Sequence, residues 1–191
     1  MIVVFGGAFN PPTRAHYEIA KHIDATDDVD EFLFMPVGEM YPKKELASAS
    51  HRTNMLTLLC KKLTKAQVSD IEVTASKPMK TFETLVELKK RYPNQDIAFI
   101  MGADNLVDLP NWYRYEDLIR DFKIIVLNRD DMDVRDIIAS KFTSFKQNFL
   151  VIDGAPRLNI SSSAYRNDPK FECDVLQSVS AYVREHHLYG R

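Results

Sequence analysis

The sequence predicts an α/β fold in which a doubly wound, mostly parallel sheet carries helices on both faces. Short apolar runs, rich in β-branched residues, alternate along the chain with segments of helical periodicity. The runs are nearly continuous in apolar residues, which is typical of parallel strands that are covered on both faces. The first two runs lie about 30 residues apart, an interval that suits a right-handed crossover between parallel neighbours.

Six strands and five main helices are expected in chain order. The strands are predicted at residues 2–5, 32–35, 68–73, 97–101, 123–127 and 149–152. The helices are predicted at about residues 14–24, 51–63, 81–91, 130–140 and 173–187. Because no repeat, low-complexity segment or linker interrupts this order, we expect residues 1–191 to form a single domain.

The composition is typical of a soluble globular protein, with 45% apolar and 27% charged residues. A formal net charge of −2 gives no general attraction to nucleic acid, so a phosphate ligand has to be held by local positive groups. Neither a signal segment nor a long apolar run is present, and we expect a cytoplasmic protein without membrane contact. The oligomeric state stays open, and a homo-oligomer is compatible with the sequence.

The two cysteines, Cys60 and Cys173, both fall in segments of helical pattern. We expect each to be a buried thiol rather than part of a disulfide or a metal site. No protein-held metal site is predicted elsewhere, because the acidic loop at residues 24–31 lacks regular ligand spacing.

The first sixteen residues predict an anion-binding turn. The first strand ends at Gly6-Gly7, where the missing Cβ atoms let backbone N–H groups approach a ligand. Asn10-Pro11-Pro12 stiffens the loop, and Thr13 is a favourable N-cap that places His16 in the first turn of a helix. Free N–H groups, the positive end of the helix dipole and an imidazole therefore converge, which we interpret as a polyphosphate site.

The alternative is an ordinary first βα unit with an incidental histidine. Two better-known phosphate motifs are absent from this stretch, namely the Gly-x-Gly-x-x-Gly dinucleotide fingerprint and the Gly-Lys-Ser/Thr of a Walker loop. A dinucleotide-binding dehydrogenase domain is therefore excluded.

A second candidate phosphate site begins at Ile160. Three serines, Ser161, Ser162 and Ser163, start a predicted helix, and Arg166 follows about one turn later. Hydroxyl groups and a guanidinium that can engage oxygen atoms in bidentate fashion suit a phosphate group. An ordinary N-cap followed by an exposed arginine is the alternative.

Further candidates follow predicted strands, where ligands bind in open α/β sheets. Gly102 allows close backbone approach, and Asp104 is expected either to accept from a ribose hydroxyl or to cap a helix. Trp112 is either a packing anchor or a stacking surface for a planar ring. Lys43 and Lys44 are either a phosphate-binding pair or a solvated basic loop.

The segment Thr13-Arg14-Ala15-His16 resembles the His/Thr-x-Gly-His motif of a nucleotidyltransferase superfamily. More closely, Gly6-Gly-Ala-Phe-Asn-Pro-Pro12 looks like the opening of nicotinate-nucleotide adenylyltransferases. Further segments fall in family order: Met101-Gly-Ala-Asp104, Pro110-Asn-Trp-Tyr113, Ile160-Ser-Ser-Ser163 with Arg166, and Leu188-Tyr189. The resemblance implies a Rossmann-like nucleotidyltransferase sheet. It also implies adenylyl transfer from ATP to nicotinate mononucleotide, with Mg²⁺, giving nicotinate adenine dinucleotide and pyrophosphate in NAD biosynthesis.

The resemblance also implies roles for individual residues. The residues implied for catalysis are His16, Arg166 and Thr13. Those implied for ATP binding are Gly6, Gly7, Phe9, Gly102, Asp104, Ile160, Ser161, Ser162 and Ser163. Those implied for binding the pyridine mononucleotide are Lys43, Lys44, Thr81, Trp112 and Tyr113. Since the mononucleotide phosphate is already a charged nucleophile, His16 is expected to stabilise the transition state rather than to act as a base.

Three positions depart from the family pattern. Thr13 stands where this family usually has a histidine, Ala15 replaces a glycine, and Met79-Lys80 replaces a Ser-Tyr pair beside the mononucleotide. Two alternatives therefore stay open. One is an adenylyltransferase that acts on nicotinamide mononucleotide, phosphopantetheine or another phosphate acceptor, and the other is a nucleotide-binding paralogue without turnover.

Overall fold

The computed structural model describes residues 1–42, 45–128, 133–153 and 160–191. Six strands lie in these segments: β1 (Ile2–Gly7), β2 (Glu31–Pro36), β3 (Ala66–Val68), β4 (Ile97–Gly102), β5 (Lys123–Asn128) and β6 (Phe149–Asp153). They form one sheet in the order β3-β2-β1-β4-β5-β6, and every neighbouring pair is parallel. The α/β class and the parallel sheet predicted from the sequence are confirmed.

Eight α-helices connect or flank the strands within the described residues. They are α1 (Arg14–Asp24), α2 (Ala49–Cys60), α3 (Thr81–Arg91), α4 (Ala103–Asp108), α5 (Tyr115–Asp121), α6 (Val134–Lys141), α7 (Ser162–Asn167) and α8 (Gln177–Glu185). Short 3₁₀ turns cover Leu109–Asn111, Thr143–Asn148, Pro169–Asp174 and Leu188–Gly190. No helix in this part of the chain combines the length and the apolar character that a membrane crossing needs.

The core has two layers because successive residues of each strand face opposite sides of the sheet. On one side, Val4 of β1 packs in a cluster with apolar residues of α3, α4, α5 and α6. On the other side, Val3 of the same strand packs with residues of α1, α2, α7 and α8. Both faces of the sheet are therefore buried, which explains why the strands are apolar at nearly every position.

The strand order creates the crevice that positions the site. From β1 the chain moves outward to β2 and β3, and from β4 it moves outward in the opposite direction to β5 and β6. The carboxyl ends of β1 and β4 are adjacent at this reversal, where open α/β sheets bind ligands. The loops after Gly7 and Gly102 lie at that point.

The helices predicted at about residues 51–63 and 130–140 are found at Ala49–Cys60 and Val134–Lys141, and residues 130–132 of the second prediction lie outside the described residues. Two other predicted elements differ more strongly from the structure. The third strand is Ala66–Val68 instead of residues 68–73, because the chain turns after Ser69, where the carbonyl of Asp70 accepts both the amide and the hydroxyl of Thr74. The predicted final helix is divided, since extended backbone at Val175 separates the 3₁₀ turn Pro169–Asp174 from α8. Cys173 lies in that turn and is exposed, so its predicted burial is wrong.

The other cysteine, Cys60, is half-buried at the end of α2, and its burial raises the pKa of the thiol to about 12. The thiolate form is therefore scarce at neutral pH. The acidic residue Asp24 has a structural role: its carboxylate accepts the amides of Thr64 and Lys65 at 3.0 and 2.6 Å. Among the described residues, no group of three or more His, Cys, Asp or Glu side chains is arranged to hold a metal ion.

Candidate active site

The turn between β1 and α1 holds His16 through the cap of the helix. Thr13 is the N-cap of α1, and its backbone N–H donates to Nδ1 of His16 at 2.8 Å, with its hydroxyl 2.9 Å from the same nitrogen. An amide N–H can only donate, so Nδ1 carries the lone pair and the proton of the neutral ring lies on Nε2. Thr13, which is 1% exposed, therefore sets the tautomer of His16.

The aromatic ring of Phe9 supports the imidazole from the core side. Phe9 is 2% exposed, and its ring lies edge-on to His16 at a centroid distance of 5.0 Å. A Cβ added to Gly7 would lie 3.1 Å from the same ring, so the glycine makes room for Phe9 as well as for a ligand. The side chain of Phe9 is therefore a packing group, and its predicted contact with ATP stays a prediction.

The second predicted phosphate segment packs directly on the first turn. Arg166 of α7 donates from Nη1 to the carbonyl of Asn10 at 2.7 Å, and Ser162 donates its hydroxyl to the carbonyl of Pro11 at 2.8 Å. Ser161 is the N-cap of α7 and accepts the amide of Ala164 at 3.0 Å. The tertiary structure thus brings together two segments that are about 150 residues apart in sequence.

Ile160 precedes this cap and is half-buried, whereas Ser163 is exposed. The Oγ atom of Ser163 accepts from Nη2 of Arg166 at 3.4 Å. The arginine is therefore fixed by one backbone carbonyl and one hydroxyl, with its guanidinium at the edge of the β1–α1 turn.

Asn10 links distant segments at the site, a role that the sequence reasoning missed. It is 2% exposed, and its side chain bonds to residues far away in sequence. Its Oδ1 accepts the amide of Ala47 at 2.9 Å and the hydroxyl of Tyr189 at 2.8 Å, while its Nδ2 donates to the carbonyl of Glu45 at 2.9 Å. Its only local signal was its place in a stiff loop, which does not identify these partners.

Arg52 lies under the strand ends and is fully buried. Its guanidinium donates to the carbonyls of Ala47, Ala8 and Val37 at 2.9, 3.1 and 2.7 Å. Burial lowers the pKa of Arg52, and the carboxylate of Glu39 opposes that shift. This geometry gives Arg52 a structural role, because a single side chain joins the exits of β1 and β2 to the loop before α2.

The residues after β4 occupy the other side of the crevice. Gly102 is buried and is itself the N-cap of α4, so Asp104 is not the cap that the sequence allowed. Asp104 is exposed in the first turn, where a carboxylate is favoured by the helix dipole. Its predicted contact with a ribose hydroxyl stays a prediction.

The expected substrate side is formed by the 3₁₀ turn after α4 and by the start of α3. Trp112 packs edge-on against Phe99 at 6.1 Å and donates from Nε1 to Asp108 at 3.3 Å, whereas Tyr113 is 54% exposed. Trp112 is therefore at least a packing anchor. Thr81 is the first residue of α3, and the N-cap of that helix is Lys80. Lys43 and Lys44 lie outside the described residues.

Glu72 is a second position without a sequence signal. Burial raises the pKa of its carboxyl group to about 7, partly offset by the hydroxyl of Thr84, which donates to it at 2.8 Å. A Cβ added to Gly38 would lie 2.2 Å from the carbonyl oxygen of Glu72, so only glycine fits where the loop after β2 crosses this turn. Glu72 thus joins that crossing to the first turn of α3.

The chain matches the model of the cytidylyltransferase-like family over residues 4–168, a range that contains both His16 and Arg166. The chain belongs to this family. Its relatives include a protein of Carboxydothermus hydrogenoformans named "Probable nicotinate-nucleotide adenylyltransferase", which is 34% identical over 86% of this chain and 84% of its own length. A protein of Acholeplasma laidlawii with the same name is 32% identical over 99% of this chain and 97% of its own length. The resemblance to nicotinate-nucleotide adenylyltransferases that the sequence predicts is confirmed.

Solved structures agree with the fold. The nicotinic acid mononucleotide adenylyltransferase of Plasmodium falciparum complexed with NaAD is similar with a TM-score of 0.80 and 24% identity, covering 99% of this chain and 97% of that chain. The same enzyme complexed with APC gives a TM-score of 0.78 at 23% identity. At these identities the likeness establishes a shared fold.

Proposed function

We propose that the chain transfers the adenylyl group of ATP to nicotinate mononucleotide, giving nicotinate adenine dinucleotide and pyrophosphate in NAD biosynthesis. The observation that carries this proposal is the bond from Arg166 to the carbonyl of Asn10, because it sets an arginine beside the β1–α1 turn that holds His16. The names of the relatives give the proposal its substrate. The NaAD and APC in the titles of the structural neighbours are consistent with it.

The proposed reaction is a direct displacement at the α-phosphorus of ATP. A phosphate oxygen of the mononucleotide forms the new P–O bond while the bond to the β-phosphate breaks, and pyrophosphate leaves. Since the nucleophile is already an anion, no proton has to be removed. The protein has to bring two anions together and to stabilise the charge that develops on the phosphoryl oxygens.

In this proposal His16 and Arg166 supply donors at opposite sides of the α- and β-phosphates. Thr13 holds the imidazole with its proton on Nε2, so His16 donates a hydrogen bond without a change of protonation. The guanidinium of Arg166 adds a fixed positive charge. The backbone at Gly6, Gly7, Phe9 and Gly102, and the side chains of Asp104 and of the segment 160–163, are proposed to hold the rest of ATP.

Mg²⁺ is proposed to enter with ATP as part of the substrate. The described residues contain no group of three acidic, histidine or cysteine ligands. A site with so few protein ligands suits a cation that keeps phosphate oxygens and water as its ligands, as Mg²⁺ usually does. When bound, Mg²⁺ neutralises charge on the triphosphate. A cytoplasmic location is also part of the proposal, because ATP is held inside cells.

The test is Mg²⁺-dependent release of pyrophosphate from ATP with nicotinate mononucleotide, nicotinamide mononucleotide and phosphopantetheine as separate acceptors. Release with nicotinate mononucleotide well above the other two is the expected result. The departure at Met79-Lys80, which leaves Met79 half-buried and Lys80 exposed, makes the other acceptors a real alternative. Release with one of them alone would reassign the acceptor and keep the ATP site.

A pair of His16 variants tests the catalytic assignment. We expect His16→Ala to lower turnover on the order of 10²-fold or more, as loss of a preorganised donor does. His16→Gln places a side-chain oxygen at the third helical position, where it accepts the amide of Thr13 and keeps the helix cap. The variant therefore separates loss of the imidazole N–H donor from loss of the cap. Turnover equal to the wild type in a folded His16→Ala protein would contradict the assignment. ATP binding without release of pyrophosphate by the wild type would favour the binding-only paralogue.

A further inference from the structure

We propose that Tyr189 is a positioning residue for adenylyl transfer and acts through the side chain of Asn10. The inference rests on the proposed function. It adds a residue that lies 179 positions along the chain from its partner.

The side chain of Asn10 has three hydrogen-bond partners, all from distant parts of the chain. The hydroxyl of Tyr189 and the amide of Ala47 share Oδ1, and the carbonyl of Glu45 accepts from Nδ2. Both ends of the amide are thus used, and the residue is 2% exposed, so water does not replace a lost partner easily. Tyr189 is therefore one of three groups that orient this amide.

The backbone of the same residue carries the expected phosphate-binding groups. The carbonyl of Asn10 accepts from Arg166, and the carbonyl of the next residue, Pro11, accepts from Ser162. The side chain of Asn10 also fixes residues 45–47, which directly follow Lys43 and Lys44 in the chain. One asparagine therefore joins the β1–α1 turn, Arg166 and the end of the predicted basic loop.

Tyr189 is itself held in place by strong local constraints. It lies in the 3₁₀ turn Leu188–Gly190 with a φ of 57°, a left-handed conformation that is unfavourable for a tyrosine. The neighbouring Arg191 donates to the carbonyls of Tyr165 and Asp168, and its guanidinium lies 4.2 Å from the centre of the Tyr165 ring. The structure thus maintains an uncommon backbone conformation that aims the hydroxyl at Asn10.

Burial keeps this hydroxyl protonated, and the hydroxyl therefore stays a hydrogen-bond donor. Burial raises the pKa of Tyr189, and the cations Arg166 and Arg52 offset only part of that shift. The phenol therefore stays protonated across the working pH range. Because Ala47 also donates to Oδ1, loss of the hydroxyl loosens the amide of Asn10 without leaving it unpaired.

The test compares Tyr189→Phe with Tyr182→Phe in the full-length protein. The hydroxyl of Tyr182 is hydrogen-bonded as well, since it accepts from Nδ2 of Asn54 at 3.0 Å and lies 3.0 Å from Nδ1 of His51, but it makes no bond to Asn10. Loss of one net hydrogen bond corresponds to about a 2- to 12-fold effect, and we expect Tyr189→Phe to lower kcat by that factor. Tyr182→Phe is expected to retain the kcat of the wild type.

Two measurements separate positioning from a general loss of stability. Amide hydrogen exchange should become faster at Ala47 in Tyr189→Phe and stay unchanged there in Tyr182→Phe. In an Asn10→Ala background, Tyr189→Phe should have no further effect on kcat, because the group through which it acts is gone. Additive losses in kcat would show that Tyr189 acts by another route and would overturn the inference.

The outcomes also distinguish this inference from the proposed function. If the wild type releases no pyrophosphate with any acceptor, adenylyl transfer itself is wrong, and Tyr189 has no reaction to position. If the wild type is active while Tyr189→Phe has the same kcat and the same exchange rate at Ala47, only the positioning role is refuted. Equal losses of kcat in both tyrosine variants would refute it as well.

Discussion

Replacement of Arg52 by lysine is the most informative test of how the strand ends are held together. Arg52 is fully buried, and its Nε, Nη1 and Nη2 atoms each donate to a different backbone carbonyl. Ala8 and Val37 directly follow β1 and β2, and Ala47 lies in the loop before α2. Lysine keeps the positive charge but places all of its donors on one nitrogen atom, so it cannot span the three acceptors.

The cost follows from the carbonyls that lose their donor. If the lysine ammonium keeps one of the three bonds, two buried carbonyls are left unpaired, at about 1–3 kcal/mol each. We therefore expect Arg52→Lys to lower the free energy of unfolding by about 2–6 kcal/mol. For a chain of this length, that loss corresponds to a fall in Tm of roughly 4–24 °C.

The assay is urea unfolding followed by the fluorescence of Trp112, the only tryptophan in the chain. Arg91→Lys is the matched control, because Arg91 is exposed and its guanidinium donates to the exposed carboxylate of Asp70 at 2.7 Å. The control should lie within about 0.5 kcal/mol of the wild type. The m-value should be the same in all three proteins, so that the midpoints compare stability alone.

The result that would refute this reasoning is an Arg52→Lys protein with the stability of the control at an unchanged m-value. Such a protein would mean that the three carbonyls are satisfied without the guanidinium. The guanidinium of Arg52 would then not be the group that joins the exits of β1 and β2 to the loop before α2.

Two further predictions concern Glu72 and Trp112. In the folded protein the pKa of Glu72 is about 7, whereas the ordinary pKa of a glutamate is 4.5. As the pH rises between these two values, the wild type is therefore destabilised relative to Glu72→Gln by about 3 kcal/mol. Urea unfolding at pH 5 and pH 8 measures this difference in stability, and Glu185→Gln, at an exposed position, is the control. An equal pH dependence in the wild type and in Glu72→Gln would contradict the prediction. For Trp112, we expect saturable quenching of its emission by nicotinate mononucleotide, as ring stacking requires, and unchanged emission at saturation would leave it a packing residue alone.

The sequence by itself was enough for the fold class and for most of the elements, because these depend on local patterns. Helix α1 begins at Arg14 and ends at Asp24 as predicted, since its cap residue and its apolar periodicity lie within one short stretch. The apolar strands on either side of the crevice are equally local signals. For the same reason the sequence could place His16 in the first turn of α1.

Where local signals were weak, the prediction failed at the boundaries. Strand β3 is only three residues long at the edge of the sheet, and the predicted apolar run beyond it belongs to a turn. Cys173 follows a helical pattern but lies exposed in a 3₁₀ turn, because the chain becomes extended at Val175 before α8 begins. Periodicity cannot distinguish these cases, since tertiary packing decides them.

Only the tertiary structure decided how the candidate site is assembled. The partners of Asn10 include Arg166 and Tyr189, which lie 156 and 179 positions away along the chain. The carbonyls that Arg52 joins come from the ends of different elements. No pattern in a single stretch encodes such pairs, because they form only when the strand order brings the ends of β1 and β2 and the Leu188–Gly190 turn to the same edge of the sheet.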